Sequence, residues 1–492
     1  ICIFLYYGPT GYSGDGAFQY AQLLSIMQDF DLNLKNNFHP EASHLIGGIN
    51  WFSFGPAILW SPFYVLGLLI KTVFLNNEGH SYIYFIPFSN LGTILYAYLG
   101  LKLTSKAFRE YFKIEKNFFI ELFTLFCTPL LFYVFREPQM SHTLGFFWIS
   151  LLVYEWVKTY HQKITQKDLF LIALTIGFAG SIRFQSIVCG IIFIPQFVAI
   201  LKNGTQYNFL KKIKIGFLSC LNCVSGILFG VLPQLIAWKM QFDSFFAFPH
   251  IPVFYFKPNF HEVWFGAHGL FVWHPFLAIC VIGLLLMLIK KETRSTSTLF
   301  LLVLLLQSYI CAIPTDPGAS CAFGMRRLTE YLAMLAFGFG PFFTAGKTKV
   351  RHLMNNVFWF LCLFFGCINL CYFTIIGWPY GTPSLLCSQK PAFFEWILLV
   401  LWNADQILQK TFLPAIFTID PIIQKTFWST CGSIKIQILF FLAVMIPIAN
   451  SLFFKEGAVS FLFKICCEKP RPFLGRKKYA GESKRQCESD TF

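Results

Sequence analysis

Eleven apolar runs of membrane-spanning length, or near it, follow one another along the chain, at 54–75, 82–101, 117–135, 142–158, 169–201, 215–237, 269–289, 298–313, 328–345, 352–376 and 434–454. A helix crossing a bilayer core needs roughly 20 apolar residues. In lipid, only helices and closed barrels satisfy their own backbone groups. Runs of this length therefore predict an all-α integral membrane protein. Charged residues make up 13% of the 492 residues, against about 25% in soluble domains. The deficit is spread along the chain, so residues 1–454 read as one polytopic domain and 455–492 as a basic cytosolic tail.

The run 169–201 is too long for one span. Arg183 and Pro195 interrupt it, which predicts two short helices. The apolar stub Ile1–Tyr7 reads as the end of a first helix whose start is missing.

Charge sets the expected orientation. Lys102, Lys106, Arg109, Lys113 and Lys116 fill one link between apolar runs. Lys202, Lys211, Lys212 and Lys214 fill another. Lys290, Lys291 and Arg294 fill a third, and Lys347, Lys349 and Arg351 a fourth; the tail carries nine more Lys and Arg. The positive-inside rule places all of these in the cytosol. The net charge of +15 thus reflects topology rather than nucleic-acid binding. Parity puts every basic link inside only if 54–75 does not cross, so this run, with Pro56 and Pro62, is expected to be a juxtamembrane or re-entrant helix pair. The count becomes about twelve transmembrane helices plus juxtamembrane helices in the first outer loop. Residues 8–53, the segment Arg136–Ser141 and the aromatic loop 238–268 then face outward.

Loop 8–53 holds Asp15, Asp29, Asp31 and Glu41 against one base, Lys35. Tyr20, Leu23, Leu24 and Met27 recur at i, i+3, i+4 and i+7, the stripe of an amphipathic helix. Such a helix is expected to lie in the interface plane. Ser13 and Asp15 at its start suit N-capping, and Asp15 also suits general-base chemistry. Asp29 and Asp31 read as turn residues. Arg136 and Glu137 form either an interfacial ion pair or a second polar wall of an outer cavity. Arg183 lies inside an apolar stretch, where a guanidinium is costly without a partner, and its fork suits a phosphate. Arg326 and Arg327 either pair with Asp316 and Glu330 or hold an anion. His44 and His142 complete the candidate substrate-binding set. The sixteen cysteines lie mostly within apolar runs and read as packing residues, so no metal site is assigned.

Five segments resemble the GT-C superfamily of polytopic glycosyltransferases: SGDGAFQYAQLL followed by DLNLKNNF; FSFGPAILWSPFYVLG; EPQMSHTLGFFWISLLVY; GFAGSIRFQSIV; and HGLFVWHPFLAICVIGLLL with FGMRRLTEYLAMLAFG. The resemblance is to the protein O-mannosyltransferase-like and lipopolysaccharide-core transferase groups. It implies a hexosyl or pentosyl transferase with a polyprenyl-phosphate sugar donor, a glycan, lipid or protein acceptor, and no required cofactor. It also implies a multi-pass protein of the bacterial inner membrane, with its site facing the periplasm or exterior. Asp15 matches the catalytic base, Glu137 the second outer-loop acid, and Arg183 with Arg326 or Arg327 the phosphate ligands. Members often carry Asp-Glu at the first position, where this chain has Asp15-Gly16. The alternatives are a lipid-linked glycan transporter or flippase, and a non-catalytic relative. No internal repeat is evident, which counts against an inverted-repeat transporter.

Overall fold

The computed structural model describes residues 14–34, 37, 52–74, 85–115, 118–160, 164–203, 209–247, 258–266, 268–314, 323–344 and 348–376. The run 434–454, the tail 455–492 and the stub 1–7 lie outside them. Among the described residues every regular element is a helix. Four of the described segments are long and apolar enough to cross a membrane: Gly55–Val73, Phe184–Leu201, Ile213–Phe242 and Lys291–Ala312. Their outward faces are apolar. Leu69, Val73, Phe217, Val224, Phe229, Ile236 and Leu305 are all exposed, which suits a lipid surround.

The re-entrant pair expected at 54–75 is instead one continuous helix, Gly55–Phe74. Pro56 sits in its first turn, where a missing N–H removes no helical bond. Pro62 removes the donor that would reach the carbonyl of Ile58. Ser61 Oγ donates to that carbonyl instead, at 2.8 Å. With the freed group satisfied, the helix does not break. Its length and composition suffice for a crossing.

The basic link expected at 102–116 is mostly the end of another helix, Ile86–Phe112. Lys and Arg are good helix formers, and here they cluster near its C-terminus, where cations offset the helix dipole. Lys102 reaches Glu121 at 3.5 Å and Lys106 reaches Glu110 at 4.0 Å.

The break expected at Arg183 is present. Helix Gln166–Ile182 opens on a capping box. The Asp168 N–H donates to Thr165 Oγ1 at 3.2 Å, and the Thr165 N–H donates to Asp168 Oδ2 at 2.9 Å. The helix ends where Arg183 turns extended, at φ −150° and ψ 116°. A 3-10 stretch, Phe184–Phe193, then leads into helix Ile194–Asn203. Pro195 lies in the first turn of that helix and does not interrupt it.

Helix Phe209–Phe242 packs along Gln166–Ile182 at a spacing only glycine permits. A Cβ on Gly226 would stand 2.6 Å from the Phe170 carbonyl oxygen. Helix His142–Thr159 packs along Ile86–Phe112, and the main core gathers beside them. Phe dominates that core: Phe123 meets Phe339 edge-on at 4.6 Å and Phe276 at 5.0 Å. A second apolar cluster joins Tyr20, Leu23 and Leu24 to Trp60, Tyr64, Phe85, Leu144 and Ile182. It seats the first-loop helix against Gly55–Phe74 and next to the Arg183 break.

Candidate functional site

Helix Gly14–Leu24 carries Asp15 in its first turn. Tyr20, Leu23 and Leu24 are buried, as the stripe predicts. The polar positions are buried too: Gln19 is 4% exposed and Gln22 1%. Protein therefore covers the helix on its polar as well as its apolar side. Gln22 Nε2 donates to the Phe52 carbonyl at 3.0 Å, and Gln19 Nε2 donates to Ser141 Oγ at 3.3 Å. Gly16 presses on Gln139, where a Cβ would stand 3.3 Å from the Gln139 Cβ. A glutamate at position 16 would need that neighbour to shift. Asp31 accepts from Ser25 Oγ at 2.8 Å and from the Asn33 N–H at 3.0 Å, and Asp29 accepts from Asn37 Nδ2 at 2.7 Å. Both serve the local turn.

The segment 136–141 links helix Leu130–Phe135 to helix His142–Thr159. Glu137 is half-buried in it and makes no ion pair with Arg136 among the described residues. Burial pushes its carboxyl up to about 7, against the pull of Arg326 and Arg136. Asp15, close enough to repel, pushes it the same way. Thr93 Oγ1 donates to the Pro138 carbonyl at 2.8 Å and pins the segment to helix Ile86–Phe112.

Arg183 finds a carboxylate that is remote in sequence. Its Nε lies 2.6 Å from Glu330 Oε1. Its Nη1 lies 3.4 Å from Ser141 Oγ and 3.3 Å from His142 Nδ1. Glu330 has no exposed surface. It also accepts from Ser186 Oγ at 3.1 Å, and His142 Nδ1 stands 3.3 Å from its Oε1. One ring nitrogen cannot donate to Glu330 and accept from Arg183 at once, so His142 serves one of them at a time. Gly145 makes room for this carboxylate; a Cβ there would stand 2.7 Å from Glu330 Cγ.

Arg326 and Glu330 share one short 3-10 turn, Arg326–Tyr331. Arg326 Nη2 lies 2.9 Å from Asp15 Oδ2, so Arg326 pairs with the first-loop acid and not with Glu330. Its Nη1 faces Met140 Sδ at 3.8 Å. Arg327, half-buried in the same turn, lies within electrostatic reach of His142. Asp316, His44 and residues 248–257 of the aromatic loop lie outside the described residues.

Side-chain contacts close a ring. Asp15 holds Arg326, whose turn carries Glu330; Glu330 holds Arg183; Arg183 reaches Ser141; Ser141 accepts from Gln19, one turn beyond Asp15. Four segments far apart in sequence are tied at one place. Asp15, Glu137, Arg183, Arg326, Arg327 and His142 all belong to it. Ser141, Gln19 and Ser186 are its unforeseen members, and Glu330, expected to pair with Arg326 or Arg327, pairs with Arg183 instead. Glu330 carried a usable signal, because an acid inside the apolar run 328–345 needs a partner for the same reason Arg183 does.

Chemically, the cluster offers a partly exposed carboxylate, Asp15, beside guanidinium groups that can hold an anion. Among the described residues no three His, Cys, Asp or Glu are grouped to hold a metal ion. Comparison of the chain with known protein families, with curated proteins and with solved structures finds no match.

Proposed function

We propose that this chain is a GT-C-like multi-pass membrane glycosyltransferase that moves a sugar from a polyprenyl-phosphate donor to an acceptor hydroxyl at the outer face of the membrane. The observation that carries the reading is the pairing of Asp15 with Arg326 where four segments meet, beside helices of spanning length. Transfer from a lipid phosphate needs a base for the acceptor and cations for the leaving group. Asp15 takes the proton of the acceptor hydroxyl. The acceptor oxygen bonds to the anomeric carbon as the bond from that carbon to the phosphate oxygen breaks. Negative charge grows on the departing polyprenyl phosphate and is met by arginine. The acceptor is a glycan, lipid or protein, and the twelve-span, outward-facing topology of a bacterial inner-membrane enzyme belongs to this same reading, which requires that helix Gly55–Phe74, although long enough to cross, does not span.

The test uses purified chain with polyprenyl-phosphate sugars and an acceptor extract. Release of polyprenyl monophosphate, with sugar appearing on the acceptor, is expected. Movement of an intact lipid-linked sugar across proteoliposomes without its cleavage would overturn the reading in favour of a flippase.

A further inference from the structure

The two arginines of the cluster are held in different ways. The partner of Arg183 is Glu330, which has no exposed surface, takes a second bond from Ser186 and sits over Gly145. Water has no access to the Glu330 side of that contact. Parting the two ions would leave both charges uncompensated, which is the costly outcome for a buried pair. Arg183 is therefore fixed. Arg326 is not. The two arginines are about equally exposed, at 17% and 18%, but Arg326's partner Asp15 is 34% exposed where Glu330 has no exposed surface. A partly solvated pair of this kind is worth little. Only one arm of the Arg326 fork is on the carboxylate; the other faces the Met140 sulfur, a weak acceptor.

We propose that the donor phosphate and Asp15 compete for Arg326, so that donor binding itself releases Asp15 to act as base. This rests on the donor reading of the site. A phosphate group presents oxygens to both arms of a guanidinium fork and is held more strongly than a carboxylate on one arm. In the resting chain Asp15 is neutralised by Arg326. When the phosphodiester of the donor takes the guanidinium, Asp15 is freed beside the reacting centre. No covalent bond changes in the exchange, and Arg326 stays paired throughout. As the glycosidic bond breaks, the leaving phosphate gains a second charge and its hold on Arg326 strengthens. Arg183, clamped by Glu330, acts as a positioning residue through Ser141 and Gln19, which anchor the helix bearing Asp15.

The exchange is read from binding rather than turnover. Polyprenyl monophosphate is titrated calorimetrically into the full chain in detergent, as wild type, Asp15→Asn, Arg326→Gln, the double variant and Glu137→Gln. Removing a competitor should tighten binding, so Asp15→Asn is expected to bind roughly fivefold more tightly. Arg326→Gln is expected to bind more weakly. The gain from Asp15→Asn should vanish in the Arg326→Gln background. Glu137→Gln removes an acid from the same neighbourhood without an ion pair to Arg326, and should tighten binding less. A gain that persists without Arg326, or that Glu137→Gln equals, reflects general charge and overturns the exchange while leaving the donor reading intact. If Arg326→Gln does not fold, Arg326→Lys replaces it, and a reduced gain is expected there. A wild-type chain that does not bind polyprenyl monophosphate overturns the donor reading, and the exchange with it. Inorganic phosphate that shows the same cycle as strongly as the lipid supports the exchange but reassigns it to a soluble phosphate.

Discussion

Arg183 and Glu330 meet at 2.6 Å in a place where neither could stand alone. The acid has no exposed surface, and the base ends an apolar helix. Each is the reason the other is tolerated. Removing one partner of a buried pair typically costs about 3–5 kcal/mol, because the survivor is left uncompensated. Arg183→Ala and Glu330→Ala are each expected to lose about that much stability in denaturant unfolding in detergent. Replacing both by apolar residues, Arg183→Met with Glu330→Leu, should recover most of the loss. Single variants as stable as wild type would show that the pair does not hold the Arg183 break.

The crossing of helix Phe209–Phe242 over Gln166–Ile182 depends on bare backbone. In lipid, helices associate by close packing, and small residues allow it. Gly226→Val would drive a side chain into the Phe170 carbonyl. The expected loss is about 1–3 kcal/mol from overpacking, measured by thermal unfolding. A stable variant would place the contact elsewhere.

Glu137 should make stability fall as pH rises. Its carboxyl ordinarily titrates at 4.5 and is pushed up to about 7 in the fold. The folded chain therefore keeps a proton that the unfolded chain releases. Below about 4.5 both states hold it, and the group costs nothing. Between that value and about 7 the cost of the buried charge grows, to at most about 3 kcal/mol. Glu137→Gln should flatten this part of the stability–pH curve and be more stable than wild type at pH 8. Parallel curves for the two proteins would mean the carboxylate is better solvated than its position implies.

What could be read from the sequence was local. Tyr20, Leu23 and Leu24 gave the first-loop helix through their period, and an arginine in an apolar run marked the break at 183. Pairings across the fold could not be read. Nothing near Arg183 in sequence names Glu330, and nothing near Asp15 names Arg326. Gln19 and Gln22 lie off the apolar stripe, and polar residues are mostly exposed; here Ser141 and the Phe52 carbonyl satisfy them inside. The Pro62 break failed for an equally non-obvious reason, a serine hydroxyl taking over the bond that proline removes. Counting basic residues as loop residues failed at 102–112, because lysine and arginine extend a helix as readily as they leave it.

Asp15→Asn separates catalysis from architecture. The variant keeps the size of the side chain and loses only a partly solvated ion pair, worth about 0–1 kcal/mol. Expression and thermal stability should therefore stay close to wild type. An amide cannot take a proton from an acceptor hydroxyl at neutral pH. Loss of a general base typically lowers a rate by about 10²–10⁴-fold. Donor binding should not weaken, because the amide no longer competes for Arg326. The expected signature is a collapsed kcat with a KM for the donor that is unchanged or lower. The assay is sugar transfer from a polyprenyl-phosphate donor, run beside a melting curve on the same preparation. A variant that transfers sugar at the wild-type rate would remove Asp15 from the chemistry. A variant that unfolds would instead give the Asp15–Arg326 pair a structural weight that its exposure does not suggest.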